Sequence, residues 1–283
     1  QRTPMPYDTM SIAHGASLYS ESCVTCHGPQ GKGNGILSRT FTTVMPDMLT
    51  EPHTEEHTAG DFYHWLTFGM KDTGMPGFAE QHGEDDRWDI VNYIHALSRG
   101  YQSRILTPEI VPKKPYVIPP DFFYTAVDGS SGLLQDFRED KSVLLVTFTW
   151  PQSKERIEQL GQIYDQLAAQ NTKVIAVPMQ ELDAETAAQI AAKIPFPLVT
   201  DGASDIVTSY ALYRRTLTRP DLLGVGTNPD HMEFLIDRYG YLRARWVPIG
   251  EQAGWGDVEL LVKQSGLLKQ EKQILPLAKM TID

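Results

Sequence analysis

Two cysteines and a histidine stand within five consecutive residues, Cys23-Val24-Thr25-Cys26-His27. Thiols one helical turn apart can form a redox dithiol, supply half of a zinc site, or add to the two vinyl groups of one porphyrin. The chain has only two cysteines, which excludes a cysteine-rich zinc site. A redox dithiol is expected where a strand passes into a helix, whereas here a polar helical segment precedes the motif and a glycine-rich loop follows it. The motif therefore predicts one covalent haem c, with thioethers at Cys23 and Cys26 and with His27 as an axial iron ligand.

The surrounding segments must position this motif. Gly15 and Tyr19 lie on one stripe of a helix that precedes it. A glycine-rich loop follows the motif at residues 28–35. The sequence then predicts a central helix over residues 61–68 and a final helix over residues 85–98. This arrangement resembles the class I c-type cytochromes, in which the first and last helices meet. The resemblance implies an all-α domain over residues 1–103. The apolar stripe of the final helix comprises Trp88, Val91, Ile94 and Leu97, extended by Ile90 and Tyr93.

A second axial ligand is expected from a methionine, because a thioether is a soft, uncharged ligand that favours ferrous iron. Met75 lies in residues 73–78, between the central and final helices, where the resemblance implies a Met-Pro ligand turn. Met45 also precedes a proline and is the rival candidate, although it lies before the central helix. Met48 and Met70 are interpreted as core residues. We therefore expect His27 and Met75 to be the axial ligands.

Histidines offer an alternative, since two imidazoles could ligate one iron. His53, His57 and His64 all precede the final helix, and His53 and His57 have the i, i+4 spacing of a metal-binding pair. They lie in a polar stretch, which favours a solvated loop and helix start over a metal site. Three other histidines, His14, His82 and His95, are expected at the surface.

Strands and helices alternate in the second half of the chain. Strands are predicted over residues 142–150 and 173–178, and a helix is predicted between them over residues 153–170. A hairpin is predicted over residues 234–246, and a helix follows it over residues 257–265. Further helices are predicted from an Asp183 cap to Ile194 and over residues 205–212. This alternation indicates an α/β sheet.

The motifs FPLVTD, at residues 196–201, and FLIDRYG, at residues 234–240, resemble the peroxiredoxin, thiol-disulfide and copper-chaperone branches of the thioredoxin superfamily. The resemblance implies a pair of reactive cysteines, but the chain has Trp150-Pro151-Gln152-Ser153 at that place. Ser153 is interpreted as a helix N-cap. His231 resembles the copper-ligating histidine of the chaperones, but without thiolates it is interpreted as a loop residue.

Residues 106–120 contain five prolines and predict an extended, semi-rigid spacer. The predicted architecture is thus multidomain: an all-α cytochrome c domain over residues 1–103, a Pro-rich linker over 104–120, and a cysteine-less α/β thioredoxin-like domain over 121–283. The longest apolar stretch is too short to cross a bilayer.

Charge is distributed unevenly. Residues 1–103 hold six Lys or Arg against thirteen Asp or Glu, a formal charge of −7 out of −11 for the whole chain. This disfavours nucleic acid and anionic membranes as partners. Two interpretations stay open: the charge attracts a redox partner with a basic docking face, or it only keeps an exported protein soluble. Because the resembling cytochromes acquire haem outside the cytoplasm, we expect an exported, periplasmic protein whose signal peptide has been removed.

Three functions follow from these patterns. The first is a monohaem electron carrier, without catalytic residues, whose redox-dead thioredoxin-like domain serves docking or positioning. The second is an oxidase-assembly or copper-delivery factor that uses the haem as its electron source. The third is a haem enzyme or ligand sensor, which needs an open or displaceable sixth position.

Overall fold

The computed structural model describes residues 4–49, 54, 57–114, 117–215, 229–248 and 253–272. The chain forms two compact units. The first contains the described residues up to Arg104, joined by Arg215 from later in the chain, and the second contains Ile105–Arg214 and the described residues from 229 to 272. The first is helical and the second is mixed α/β, which confirms the predicted fold class. No helix in the described ranges is long and apolar enough to cross a membrane.

The first unit is built from helices with local capping signals. Asp8 accepts a hydrogen bond from the backbone N–H of Ser11, and Thr58 and Asp61 form a reciprocal capping box. The last helix continues past its predicted end at Ser98. The helices are α1 (Thr9–Ser22), α2 (Val24–His27), α3 (Ala59–Phe68) and α4 (Glu84–Gln102), with a 3-10 turn at Ser38–Thr40.

Helices α1 and α4 cross at Gly15, as the sequence predicted. A side-chain carbon at Gly15 would lie 2.1 Å from the carbonyl oxygen of Asp89, so only hydrogen fits there. One turn later, the rings of Tyr19 and Tyr93 are 5.2 Å apart. The small residue allows close approach, and the aromatic pair then fills the space beside it.

Two histidines expected at the surface are buried. His82 contacts the Ser22 hydroxyl at 2.9 Å through Nε2, and the ring of His95 meets Phe62 edge to face. For His95 the prediction was wrong because α4 is buried on most of its circumference and not along one stripe only. His82 precedes α4 and is covered by its contacts with Ser22 and with the ring of Phe78. His14 is exposed, as expected.

The second unit contains two sheets. One has the order β4-β3-β6-β7, with β3 parallel to β4 and antiparallel to β6, and the other has the order β2-β1-β5. The strands are β1 (Phe123–Ala126), β2 (Ser131–Leu133), β3 (Ser142–Phe148), β4 (Thr172–Pro178), β5 (Val199–Asp201), β6 (His231–Ile236) and β7 (Leu242–Trp246).

Helices cover these sheets. The helix predicted over 153–170 is interrupted at Ile163, which leaves two shorter helices. Asp183 and Asp257 each cap a helix with their carboxylates. The helices are α5 (Lys154–Gln162), α6 (Tyr164–Ala169), α7 (Ala184–Ala191), α8 (Ala203–Tyr210) and α9 (Val258–Gln270).

The Pro-rich segment lies against the second unit and is not a free spacer in its described residues. The carbonyls of Thr107 and Val117 accept hydrogen bonds from the backbone N–H groups of Arg245 and Leu242. The Trp255 indole donates to the Pro108 carbonyl at 2.7 Å. The expectation failed because β7 lies at a sheet edge, whose unpaired backbone groups this segment satisfies.

Candidate functional site

The first unit encloses a cavity of about 230 Å³ to which three of the predicted site residues contribute. Cys23, His27 and Met75 all line it. Cys26, one turn after Cys23 on α2, does not line the cavity and is half-buried. The remaining walls are almost wholly apolar and include Tyr19, Met45, Met48, Phe62, Trp65, Leu66, Met70 and Ile94.

The thiols are held in a short helical segment at the end of α1. The backbone N–H of Cys23 donates to the carbonyl of Tyr19, and the N–H groups of Cys26 and His27 donate to the carbonyl of Cys23. Gly28 ends the segment with φ of 75°, which favours glycine. The Tyr19 hydroxyl donates to the Gly28 carbonyl at 3.0 Å, which fixes the exit of the motif.

The environment of Cys23 opposes dithiol redox chemistry. The two thiols are not joined in a disulfide. Burial, with a smaller contribution from Cys26, raises the pKa of the Cys23 thiol to about 12. A thiol with this pKa is protonated at neutral pH, so Cys23 itself would not be the attacking thiolate of a redox dithiol.

The loop after the motif folds back beside His27. The backbone N–H of Gly33 donates to the carbonyl of His27. A side chain at Gly33 would lie 2.5 Å from the carbonyl oxygen of Met45, so Met45 packs directly on this loop. Met48 is tied to the same loop because its N–H donates to the Gly31 carbonyl at 2.7 Å.

Met75 comes from a different segment, the turn that follows α3. The N–H of Met70 donates to the carbonyl of Met75 at 3.0 Å, which closes the turn. The N–H of Met75 donates to the Thr73 hydroxyl at 3.3 Å. Both backbone polar groups of Met75 are therefore hydrogen-bonded within the turn.

His57 and His64, the two histidine alternatives within the described residues, do not line the cavity. His57 stacks edge to face on Trp65, and His64 is exposed. His53 lies outside the described residues. A thiol pair, an imidazole and a thioether around apolar walls form a donor set suited to a covalent haem with His and Met ligands.

Two family models match the chain. Residues 12–98 match cytochrome c, and residues 118–245 match the AhpC/TSA family. The chain carries a cytochrome c domain followed by a thioredoxin-like domain. The first domain implies haem c as a cofactor, and the pair of domains fits an electron-transfer redox protein.

Solved structures similar to this chain include thiol-disulfide proteins. A putative protein disulfide isomerase from Bacteroides thetaiotaomicron is 20% identical, covering 59% of this chain and 92% of its own, with a TM-score of 0.42. A putative thiol:disulfide interchange protein DsbE from Chlorobium tepidum is 19% identical, covering 54% and 99%, with a TM-score of 0.39. BsSco, a member of the Sco family of cytochrome c oxidase assembly proteins, is 14% identical, covering 56% and 98%, with a TM-score of 0.40. No curated protein matches the chain significantly.

The segment of the thioredoxin-like domain where reactive cysteines were expected has other contacts. Ser153 precedes α5, but its hydroxyl donates to the carbonyl of Asp230 and does not cap the helix, contrary to the prediction. The carbonyl of Trp150 accepts a hydrogen bond from the Gln180 amide at 2.6 Å. Neither position carries sulfur.

A buried ionic cluster lies beside this segment. Arg156 binds the Glu233 carboxylate through Nε and Nη2 at 2.6 and 2.9 Å, and Nε2 of His231 approaches Glu233 at 2.7 Å. Burial raises the pKa of Glu233, but the charge and hydrogen bonds of Arg156, with those of His231, outweigh it and hold the pKa at about 2. Glu233 is therefore ionised. His231 was interpreted from the sequence as a loop residue, but it is the first residue of β6. Arg156 and Glu233 were not predicted.

His231 has few of the neighbours that a copper site needs. Met232 follows it on β6 and so projects to the opposite face of the sheet. Within the described ranges, the one group of three or more His, Cys, Asp or Glu side chains close enough to share a metal comprises His14, Asp86 and Asp89. In that group, Asp89 accepts a hydrogen bond from the Ser11 hydroxyl and contacts Nδ1 of His14 at 2.8 Å, which joins α1 to α4.

Proposed function

We propose that this chain is an extracytoplasmic monohaem c-type cytochrome that carries electrons. In this proposal, Cys23 and Cys26 form the thioethers, and His27 and Met75 are the axial ligands. One observation carries it: Cys23 and His27 from the motif, and Met75 from the turn after α3, line the same apolar cavity. When bound, haem c would supply a one-electron couple.

The positions of Met45 and Met75 in the chain support Met75 as the second ligand. Met45 packs on the loop that is hydrogen-bonded to His27, so it is attached to the chain segment that already supplies the first ligand. Met75 approaches from the turn after α3, a separate part of the chain. Two axial ligands must bind opposite faces of a porphyrin, which favours Met75.

The apolar walls of the cavity would favour electron transfer by keeping water away from the cofactor. Phe62, Trp65, Leu66 and Ile94 are apolar and would exclude water from the cofactor. A thioether ligand and a low-dielectric surrounding both favour the reduced iron, which suits a carrier with a raised reduction potential. No residue of the cavity is proposed as an acid, base or nucleophile.

The second domain is proposed to dock or position the carrier. Thiol exchange needs a cysteine pair, and both cysteines of the chain belong to the haem motif. Ser153 is held by Asp230, and its position at the start of α5 lacks a thiol. The proposed location is the periplasm, because attachment of haem c to the cytochromes that this domain resembles takes place outside the cytoplasm.

Visible spectroscopy of the haem-loaded full chain tests the ligand assignment. We expect the oxidised protein to show the long-wavelength band of a thioether–iron bond, the Met75→Ala variant to lose it, and the matched Met45→Ala variant to keep it. Loss in Met45→Ala with retention in Met75→Ala would reverse the assignment. Carbon monoxide binding to the native ferrous protein would instead favour a sensor or enzyme.

Mass spectrometry tests the number of cofactors and how they are attached. The denatured holoprotein should carry the mass of one haem. Cys23→Ser and Cys26→Ser should each leave a single thioether, which is seen as a shift of the reduced pyridine haemochrome band. A second haem, or full release of haem on denaturation, would contradict the proposal.

A second candidate is copper delivery, favoured by one observation at His231. Its Nδ1 is buried and has no hydrogen-bond partner in the described structure, while its Nε2 faces the ionised Glu233. A carboxylate commonly orients a metal-binding histidine in this way. Titration of the full chain and of His231→Ala with cuprous ion decides between the candidates, because delivery requires a bound equivalent that the variant loses.

A further inference from the structure

The side chain of Thr73 holds the turn that presents Met75. Its hydroxyl donates to the carbonyl of Met70 at 2.8 Å and accepts from the N–H of Met75 at 3.3 Å. One hydroxyl therefore joins the first residue of the turn to the methionine. Because Thr73 also lines the cavity, it lies beside the space that the cofactor would fill.

Two backbone hydrogen bonds hold the same turn, from the N–H of Met70 to the carbonyl of Met75 and from the N–H of Thr73 to the carbonyl of Met70. Gly74 lies between Thr73 and Met75 and has φ of 83°, a backbone conformation that costs glycine little free energy. Glycine has no side chain that could hold the turn in this conformation. A side chain at Gly74 would also strike the ring of Phe41, at 2.7 Å. The turn closes through the Met70–Met75 backbone bond, and the Thr73 hydroxyl braces that bond from inside.

We propose that Thr73 is a positioning residue, whose hydroxyl holds Met75 ready to bind the haem iron. This inference rests on the proposed function, since it takes Met75 as the axial ligand. The hydroxyl acts through its hydrogen bond with the backbone of Met75 and is not itself proposed as an iron ligand. Without it, the Met75 N–H loses its acceptor and the turn gains conformational freedom, which favours replacement of the thioether by an external ligand.

The experiment measures the affinity of the oxidised holoprotein for imidazole, which competes with Met75. Thr73→Val removes the hydroxyl and keeps the side-chain shape, and Thr73→Ser restores the hydroxyl. Thr40→Val is a matched control, because the Thr40 hydroxyl donates to the carbonyl three residues earlier, as that of Thr73 does. We expect Thr73→Val to bind imidazole about two- to tenfold more tightly, which corresponds to one lost hydrogen bond.

Thr73→Ser and Thr40→Val should both resemble the parent protein. An unchanged imidazole affinity in Thr73→Val, or an equal gain in Thr40→Val, overturns the positioning role. If Thr73→Val fails to fold, Thr73→Ala is measured against Thr73→Ser in its place. Failure of the ligand assignment is seen separately, as retention of the thioether band in Met75→Ala, and it removes this inference as well.

Discussion

The carbonyl oxygen of Asp89 occupies the space that a side chain at Gly15 would need, because a carbon there would lie only 2.1 Å away. We therefore predict that Gly15→Ala forces α1 and α4 apart and destabilises the first unit by about 1–3 kcal/mol or more. Urea unfolding followed by circular dichroism measures this change. Ser17→Ala, at an exposed position of the same helix, should change stability by no more than about 0.5 kcal/mol. Equal effects would mean that the crossing is not tightly packed.

Glu233→Gln should strongly destabilise the thioredoxin-like unit. The substitution leaves the Arg156 guanidinium buried without the carboxylate that binds it at two nitrogens, and breaking a buried pair in this way costs roughly 3–5 kcal/mol. The control is Glu158→Gln, which removes an exposed pair with Lys193 and should cost less than about 1 kcal/mol. Tryptophan fluorescence during urea unfolding compares the two. A cost for Glu233→Gln as small as the control's would argue against a buried ion pair.

The first unit should lose stability on mild acidification because of His95. Burial, with a smaller contribution from Arg99, lowers the pKa of His95 from 6.5 to about 3. Below pH 6.5, His95 therefore binds a proton in the unfolded chain but stays neutral in the folded unit. The free energy of unfolding falls as pH drops towards 3. Between pH 6.5 and about pH 4.5, this loss is about 2 kcal/mol.

His95→Leu should remove that part of the pH dependence. The exposed histidine of α3 provides the control, so His64→Leu should follow the parent protein across the same range. Unfolding in urea at a series of pH values gives the comparison. A parallel acid loss in His95→Leu would assign the effect to other groups.

Arg243 should hold the Pro-rich segment on the second unit. Its guanidinium donates to the carbonyls of Lys114 and Val111 and binds the carboxylates of Asp237 and Glu271. Arg243→Met leaves both acids without this partner, and we expect a loss of roughly 3–5 kcal/mol.

Hydrogen exchange provides a local measurement of the same change. Amides of residues 106–114 should exchange faster in Arg243→Met than in the parent. Lys141→Met, which removes an exposed pair with Asp140, is the control and should leave their exchange unchanged. Unaltered exchange in Arg243→Met would show that other contacts hold the segment.

The features predicted from the sequence are those set by near neighbours in the chain. The cap at Asp183 depends on a residue within one turn, and the stripe of Gly15 and Tyr19 follows from helical periodicity. Such patterns are visible because their geometry repeats with the backbone.

The features that were missed depend on pairings between distant residues. Arg156 and Glu233 come from α5 and β6, and no spacing in the sequence relates them. The packing of the Pro-rich segment depends on β7 being an edge strand, which only the sheet order reveals. The burial of His95 likewise depends on how many elements surround α4.

Arg215 has a consequence for the order in which the protein can be completed. It is fully buried in the first unit, where its guanidinium donates to the carbonyl of Leu97. The ribosome adds this residue only after most of the thioredoxin-like unit has been synthesised. This contact of the helical unit can therefore form only late in synthesis, and a cut between residues 104 and 105 would separate Arg215 from the chain that carries Leu97.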